Sequence, residues 1–195
     1  MDKIAISTNV FLPMPVVLVG AQVDGRANFM PAGWCSRANA NPPMISVGIN
    51  RMHHTARGIR ESGTFSVNLP SAALMEKTDY CGLVSGATVD KSGVFSVCYG
   101  KLGTAPMIRE CPVSMECMLV TAIEFPTNTL FVGEITGAYA DLAVIRNGKP
   151  DFSAIDPLLL TMPDNTYHTL GKAAGKAWKA GSVLKNTKNG PVPEL

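Results

Sequence analysis

The chain is 195 residues long, which suits one domain of ordinary size. Lysine plus arginine number 17 against 15 acidic residues, a net charge of +2, and this excludes a sequence-independent nucleic-acid binder, which needs clustered excess cation. Hydrophobic residues make up 46% and charged residues only 16%, too apolar for a disordered chain and short of polar surface for a monomer.

The first residues show no charged stretch followed by a long apolar run, so no signal peptide is read. The longest apolar stretch, 10–21, holds two prolines and falls short of the roughly 20 residues of a membrane span. Along the chain, 16–23 (VVLVGAQV) reads as a buried strand ending at the hairpin signal Asp24-Gly25. Residues 44–50 and 64–69 read as two further strands. A short helix over 55–61 between them is ended by Ser62-Gly63. Ser71 is the expected N-cap of a second helix, with Leu74, Met75 and Thr78 on one face. Residues 94–99 read as a strand, and 114–125 and 129–139 as the two longest, joined by a hairpin loop at 126–128. Residues 167–180 read as a helix: Lys172, Lys176 and Lys179 form a solvated face, and Ala173, Ala177, Trp178 and Ala180 an apolar one. The tail 186–195 is turn-rich and expected to fray. Six or seven strands with few helices indicate a barrel or sandwich.

Five cysteines, Cys35, Cys81, Cys98, Cys111 and Cys117, form an odd set with no C-x-x-C pair. They read as free thiols in a reducing cytoplasm, with no metal site. The chemistry concentrates in 25–60. This block holds five arginines (Arg26, Arg37, Arg51, Arg57, Arg60), His53 and His54, and no Asp or Glu. Small hydrogen-bonding side chains, among them Asn28, Ser36, Asn50 and Thr55, are interspersed. The set suits a compact anion such as a phosphate; chance segregation of charge on a solvated loop is the other reading. No Walker loop, dinucleotide fingerprint or nucleophile elbow is present. Adjacent His53 and His54 make a poor metal pair, and nothing fixes Cys35 against a histidine for hydrolysis. The run 28–36 (NFMPAGWCS) leaves its backbone bare beside Trp34. It can offer a flat heteroaromatic ring both edge hydrogen bonds and face contact; a tight turn with Trp34 in the core is the plainer alternative.

An ordered set of motifs goes further. N-x-x-x-x-x-W-x-S is followed by P-P-x-x-x-x-x-I, then by H-T-x-x-x-I-x-x-S-G-x-F-x-V-N. With DKSGVF and YHTLGKAAGKAW, this resembles the flavin reductase-like, FMN-binding split-barrel family, in its flavoredoxin branch, over roughly residues 8–182. The resemblance implies a mainly β fold, a Greek-key split β-barrel with a few peripheral helices. The domain would span 1–185, pair as a homodimer and hold FMN in a groove near the interface. It implies that Asn28, Trp34, Cys35, Ser36 and the backbone at Ala32 contact the flavin ring and ribityl chain. Asn50 and Arg51 would lie along the ribityl phosphate. Thr55 would bond the phosphate with His53 or His54 nearby, and Lys91 would reach it from another loop. Met162 and Tyr167 would line the ring face from either subunit. No catalytic side chain is implied, since hydride passes from a nicotinamide to the flavin without one. The functions implied are a flavin reductase using NADH or NADPH, or a flavoredoxin-type carrier exchanging electrons with a partner protein. A dimeric barrel without redox work is the third reading.

Overall fold

The structure is a computed structural model, and it describes residues 3–186. Seven antiparallel strands form the main sheet: β1 (Val17–Val23), β2 (Arg26–Ala32), β3 (Cys35–Asn39), β4 (Met44–Asn50), β5 (Thr64–Leu69), β6 (Val113–Glu124) and β7 (Asn128–Ala140). Their order is β2–β1–β5–β6–β7–β4–β3. The two edges, β2 and β3, are neighbours in sequence, joined through Gly33 and Trp34, yet no ladder closes between them. The sheet therefore curls into a barrel left open between its two edges, where β2 also comes near β4 without pairing with it.

Alternation explains the curl. Val17, Val19 and Ala21 of β1 point into a core with Ile45, Val47 and Ile49 of β4, Phe65 and Val67 of β5, Cys117 and Phe131. Leu18 points the other way, to a second cluster with Phe29, Cys81, Phe95, Ile108 and Cys111. A strand buried on both faces reads as a continuous apolar run, as β1 does. The Asp24-Gly25 turn takes the positive φ values (49° and 75°) of a tight hairpin, and β2 returns from it.

Helix α1 (His54–Ser62) closes one end of the barrel, with Ala56 and Ile59 in the main core. A Cβ at Gly58 would collide with the Gln22 carbonyl, so glycine lets α1 lie against β1. Gly63 ends the helix in the left-handed conformation, its N–H donating to the Ile59 carbonyl at 3.0 Å, as the sequence predicts. Helix α2 (Met75–Leu83) packs across β2 after a single turn of 3-10 helix, Ala72–Leu74. Ser71 precedes that turn without a side-chain cap bond, and of the predicted face Leu74 and Thr78 turn inward while Met75 is exposed.

The loop before β6 is tied to the outer face of β5 and β6 by polar contacts. The Ile108 N–H donates to Asn68 Oδ1 at 3.0 Å, and Thr64 Oγ1 bonds Thr104 Oγ1 at 2.9 Å. The fully buried Glu116 carboxylate accepts from Lys101 N at 2.8 Å, Leu102 N at 2.9 Å and the Tyr139 hydroxyl at 2.7 Å. The strand predicted over 94–99 shrinks to Val97–Cys98, paired with Met107–Ile108, because this segment packs by side chains rather than by a long ladder.

The helix predicted over 167–180 does not form. Tyr167 lies in a strand, Thr166–His168, of a small sheet with Met14–Pro15 and Leu159–Thr161. Residues 169–176 carry no regular structure, and a 3-10 segment, Ala180–Asn186, follows. The predicted apolar side finds nothing to cover: Trp178 is fully exposed at a positive φ of 59°. Helical stability comes mostly from packing, which this segment lacks. The predicted tail falls outside the described residues, apart from Asn186. All five cysteines are free thiols, and among the described residues no helix is long and apolar enough to cross a membrane.

Candidate functional site

A groove made of three adjoining chambers follows the open seam. The middle chamber, about 340 Å³, lies between β2, the start of α1 and the end of α2. Asn28, His53, His54, Thr55, Gly86 and Lys91 line it, and no Asp or Glu does. At one end a shallow recess of about 190 Å³ is bounded by Ala32, Gly33, Trp34, Gly48, Asn50 and Asn128, with His53 shared between the two. At the other end a polar chamber of about 340 Å³ holds Asp24, Arg26 and Asp90, and shares Asn28, His54, Gly86 and Lys91.

Lys91 is the centre of the electrostatics. It is only 4% exposed, and its Nζ donates to the Cys81 carbonyl at 2.7 Å and the Phe29 carbonyl at 3.1 Å. No carboxylate pairs with it among the described residues. Part of its work is structural, since the Cys81 carbonyl belongs to the last turn of α2, where acceptors lack helical partners. Burial pushes its pKa below the ordinary lysine range. A buried cation beside a cavity free of acids is compensated well by an anion in that cavity.

The first turn of α1 supplies the donors. His53 caps the helix without a side-chain bond, and no acidic residue lies in the first turn. The opening N–H groups of a helix have no intrahelical acceptors and attract negative charge. Thr55 is 1% exposed, and its Oγ1 accepts from Asn28 Nδ2 at 2.7 Å, which leaves the hydroxyl proton free to donate. Asn28 Oδ1 is buried with no hydrogen-bond partner. Gly86 rests directly on that oxygen, and a Cβ there would collide with it. Burial first, and then the charge of Lys91, lowers the pKa of His53; burial and Arg57 lead the lowering of His54. Both imidazoles are thereby biased toward the neutral form.

The recess is built differently. Trp34 is half-exposed and packs over Gly48, where an added Cβ would stand 3.2 Å from the indole. The Gly48 N–H donates to the Trp34 carbonyl at 2.8 Å, fixing the linker across β4. Asn50 turns its Oδ1 to the Met52 N–H at 3.0 Å. The surface is thus a bare-backbone floor with one large indole at its side.

Of the residues singled out in the sequence, Asn28, Ala32, Trp34, Asn50, His53, His54, Thr55 and Lys91 come together along the groove. Five stand beside it. The Cys35 side chain packs against the core, and burial pushes its thiol up to about 12. Ser36 is exposed on the edge strand β3. Arg51 sits on an exposed turn, its N–H donating to the Thr127 carbonyl at 3.2 Å. Met162 lies in the turn that joins two strands of the small sheet, Tyr167 lies in its last strand, and the Tyr167 hydroxyl donates to Asp79 Oδ1 at 3.0 Å. That sheet reaches the recess through Met14, which touches Gly33. The end of α2, with Cys81, Gly82 and Gly86 beyond it, also lines the groove without having been singled out. No local motif marks it, because its contact with Asn28 spans 58 residues of sequence.

The residues fit a phosphate ester with a flat ring: an unpaired buried cation, a hydroxyl with a free proton, an orphaned acceptor and a helix start at one end, and a bare recess at the other. The comparisons agree with that outline. The flavin reductase like domain matches residues 10–170, and the chain belongs to that family. The flavoredoxin of Methanosarcina acetivorans is 58% identical, with 94% of this chain and all of that one covered and a TM-score of 0.93. The flavoredoxin of Desulfovibrio vulgaris (Miyazaki F) is 33% identical, with 93% of this chain and all of that one covered and a TM-score of 0.85. A split-barrel-domain structure from Shewanella frigidimarina NCIMB 400 is 24% identical over 85% of this chain and 86% of its own, with a TM-score of 0.73, and shares the fold. The architecture is a split barrel.

Proposed function

We propose that the chain is an FMN-dependent oxidoreductase, reduced by a nicotinamide and passing electrons onward. The observation that carries this is Lys91, a buried cation without a carboxylate partner, facing an acid-free chamber at the start of α1. In this reading Lys91, Thr55 and the α1 N–H groups hold the phosphate, with His53 and His54 beside it. Asn28 holds Thr55 through its Nδ2 and stands beside the ribityl chain. Ala32, Trp34 and Asn50 seat the ring, and Cys35, Ser36, Arg51, Met162 and Tyr167 form its outer surroundings. FMN, when bound, supplies the hydride-accepting and electron-passing chemistry. The chain positions it, balances its charge, and leaves the recess open on one side for a nicotinamide. In this reading two copies pair with the recess near their interface, and the protein works in a reducing cytoplasm, which its free thiols suit.

A second reading, a flavoredoxin-type carrier served by protein partners, is favoured by the 58% identity to the Methanosarcina acetivorans flavoredoxin. The purified protein is expected to be yellow and to release FMN on denaturation. A colourless protein that takes up no added FMN overturns both readings. Anaerobic mixing with NADH and then NADPH separates them: rapid bleaching supports the reductase, and no bleaching with either supports the carrier.

A further inference from the structure

The proposed function leaves the polar chamber at the far end of the groove unused. The middle chamber meets it at a waist formed by Asn28, His54, Gly86 and Lys91, which line both. A Cβ at Gly86 would collide with Asn28 Oδ1 and stand 3.0 Å from His54 Cδ2, so the Gly86 backbone fills the gap between these two side chains. Asn28 Oδ1 is buried there without a hydrogen-bond partner. It is an acceptor and has no proton to offer a phosphate oxygen.

Beyond the waist the character of the surface changes. The middle chamber has no carboxylate in its lining, whereas the polar chamber has two, Asp24 and Asp90. Asp90 pairs with Arg26 at 3.3 Å, and its Oδ1 accepts from the Ser92 N–H at 2.8 Å. Asp24, in the hairpin turn, pairs with Arg57, which Glu61 also approaches at 3.6 Å. Arg57 itself is outside the lining. Past Lys91, the chamber therefore presents two carboxylates and one arginine, and that arginine is already matched.

We propose that this end of the groove selects the flavin by its phosphate: a terminal phosphate is accepted, and a phosphate extended by a further nucleotide, as in FAD, is turned away by Asp24 and Asp90. With about 340 Å³ beyond the waist, room alone does not exclude the extension. Charge does, because the second phosphate of a dinucleotide is brought against two carboxylates with no uncommitted cation to offset it. A repulsive element of this kind separates two ligands as effectively as an added contact. The inference rests on the FMN reading above and adds the residues that decide which flavin is held.

Equilibrium dialysis of the FMN-free full chain against FMN and against FAD tests this. The parent is expected to hold FMN about 100-fold more tightly than FAD, and Asp24→Asn/Asp90→Asn to cut that preference about tenfold through tighter FAD binding. Asparagine keeps the acceptor for the Ser92 N–H and suits the positive φ of 49° at position 24, so turn and loop stay intact. Glu61→Gln removes a charge from beside Arg57 but outside the chamber, and should leave the preference as it is. Equal binding of FMN and FAD by the parent, or an unchanged preference in the double variant, overturns the inference while the FMN reading stands. An equal fall in Glu61→Gln makes the effect one of net charge and overturns it as well. A parent that binds neither flavin removes the FMN reading itself.

Discussion

In the proposed function, Lys91 and Thr55 carry different parts of the same task. Lys91 contributes a full charge within a dry wall, and Thr55 contributes one directed proton. A hydrogen bond to a charged group is worth about 1.5–3 kcal/mol, so Thr55→Ala should weaken FMN binding by roughly 10- to 100-fold. An equilibrium fluorescence titration checks this, and unchanged affinity would remove Thr55 from the phosphate. Gly86 gives a sharper steric test. A methyl group there meets Asn28 Oδ1, so Gly86→Ala should push the loop off Asn28 and also lower FMN affinity, while the barrel core is untouched. Retained affinity would show that the loop yields without cost. The sequence reveals the acid-free block around these residues. It does not reveal that Asn28 meets Gly86 and Thr55, because neighbours in space are far apart in the chain.

Among elements, the best-read ones are those whose local pattern and packing agree. The Asp24-Gly25 turn, α1 with its Gly63 stop, and the β6–β7 hairpin all follow from short-range signals. β2 and β3 are harder to see. They are edge strands, so a proline is tolerated at Pro31 and polar residues stand at Ser36, Arg37 and Asn39. The failed helix over 167–180 shows the opposite conflict: alanine and lysine favour a helix locally, but nothing covers its apolar side. Glu116 sets a prediction at this scale. Burial alone would raise its pKa, but bonds from Tyr139, Leu102 and Lys101 outweigh that and hold it below the ordinary 4.5. A depressed carboxylate stabilises the fold above its unfolded pKa, and that contribution is lost as pH falls through the folded value. Glu116→Gln should therefore lower stability at neutral pH and flatten the loss of stability below about pH 4.5. Urea unfolding at pH 7 and pH 4 measures both; an unchanged difference between the two would count against the network.

For the whole molecule, the low charge content and the small net charge carry two separate messages. The +2 total conceals five arginines in one acid-free block, three of which the fold draws into ion pairs with distant carboxylates: Arg26 with Asp90, Arg57 with Asp24, and Arg60 with Glu124. The 16% charged content corresponds to apolar side chains left exposed, among them Met118, Val120, Ile123 and Phe125. The central claim is that the seam recognises a phosphate ester through Lys91. Titrating the FMN-free protein and its Lys91→Met variant with FMN and with riboflavin, which differ only in the phosphate, tests it most directly. The account predicts that the parent binds FMN at least 100-fold more tightly than riboflavin and that Lys91→Met loses most of that preference. Equal binding of the two flavins by the parent, or a preference that survives in Lys91→Met, would contradict it.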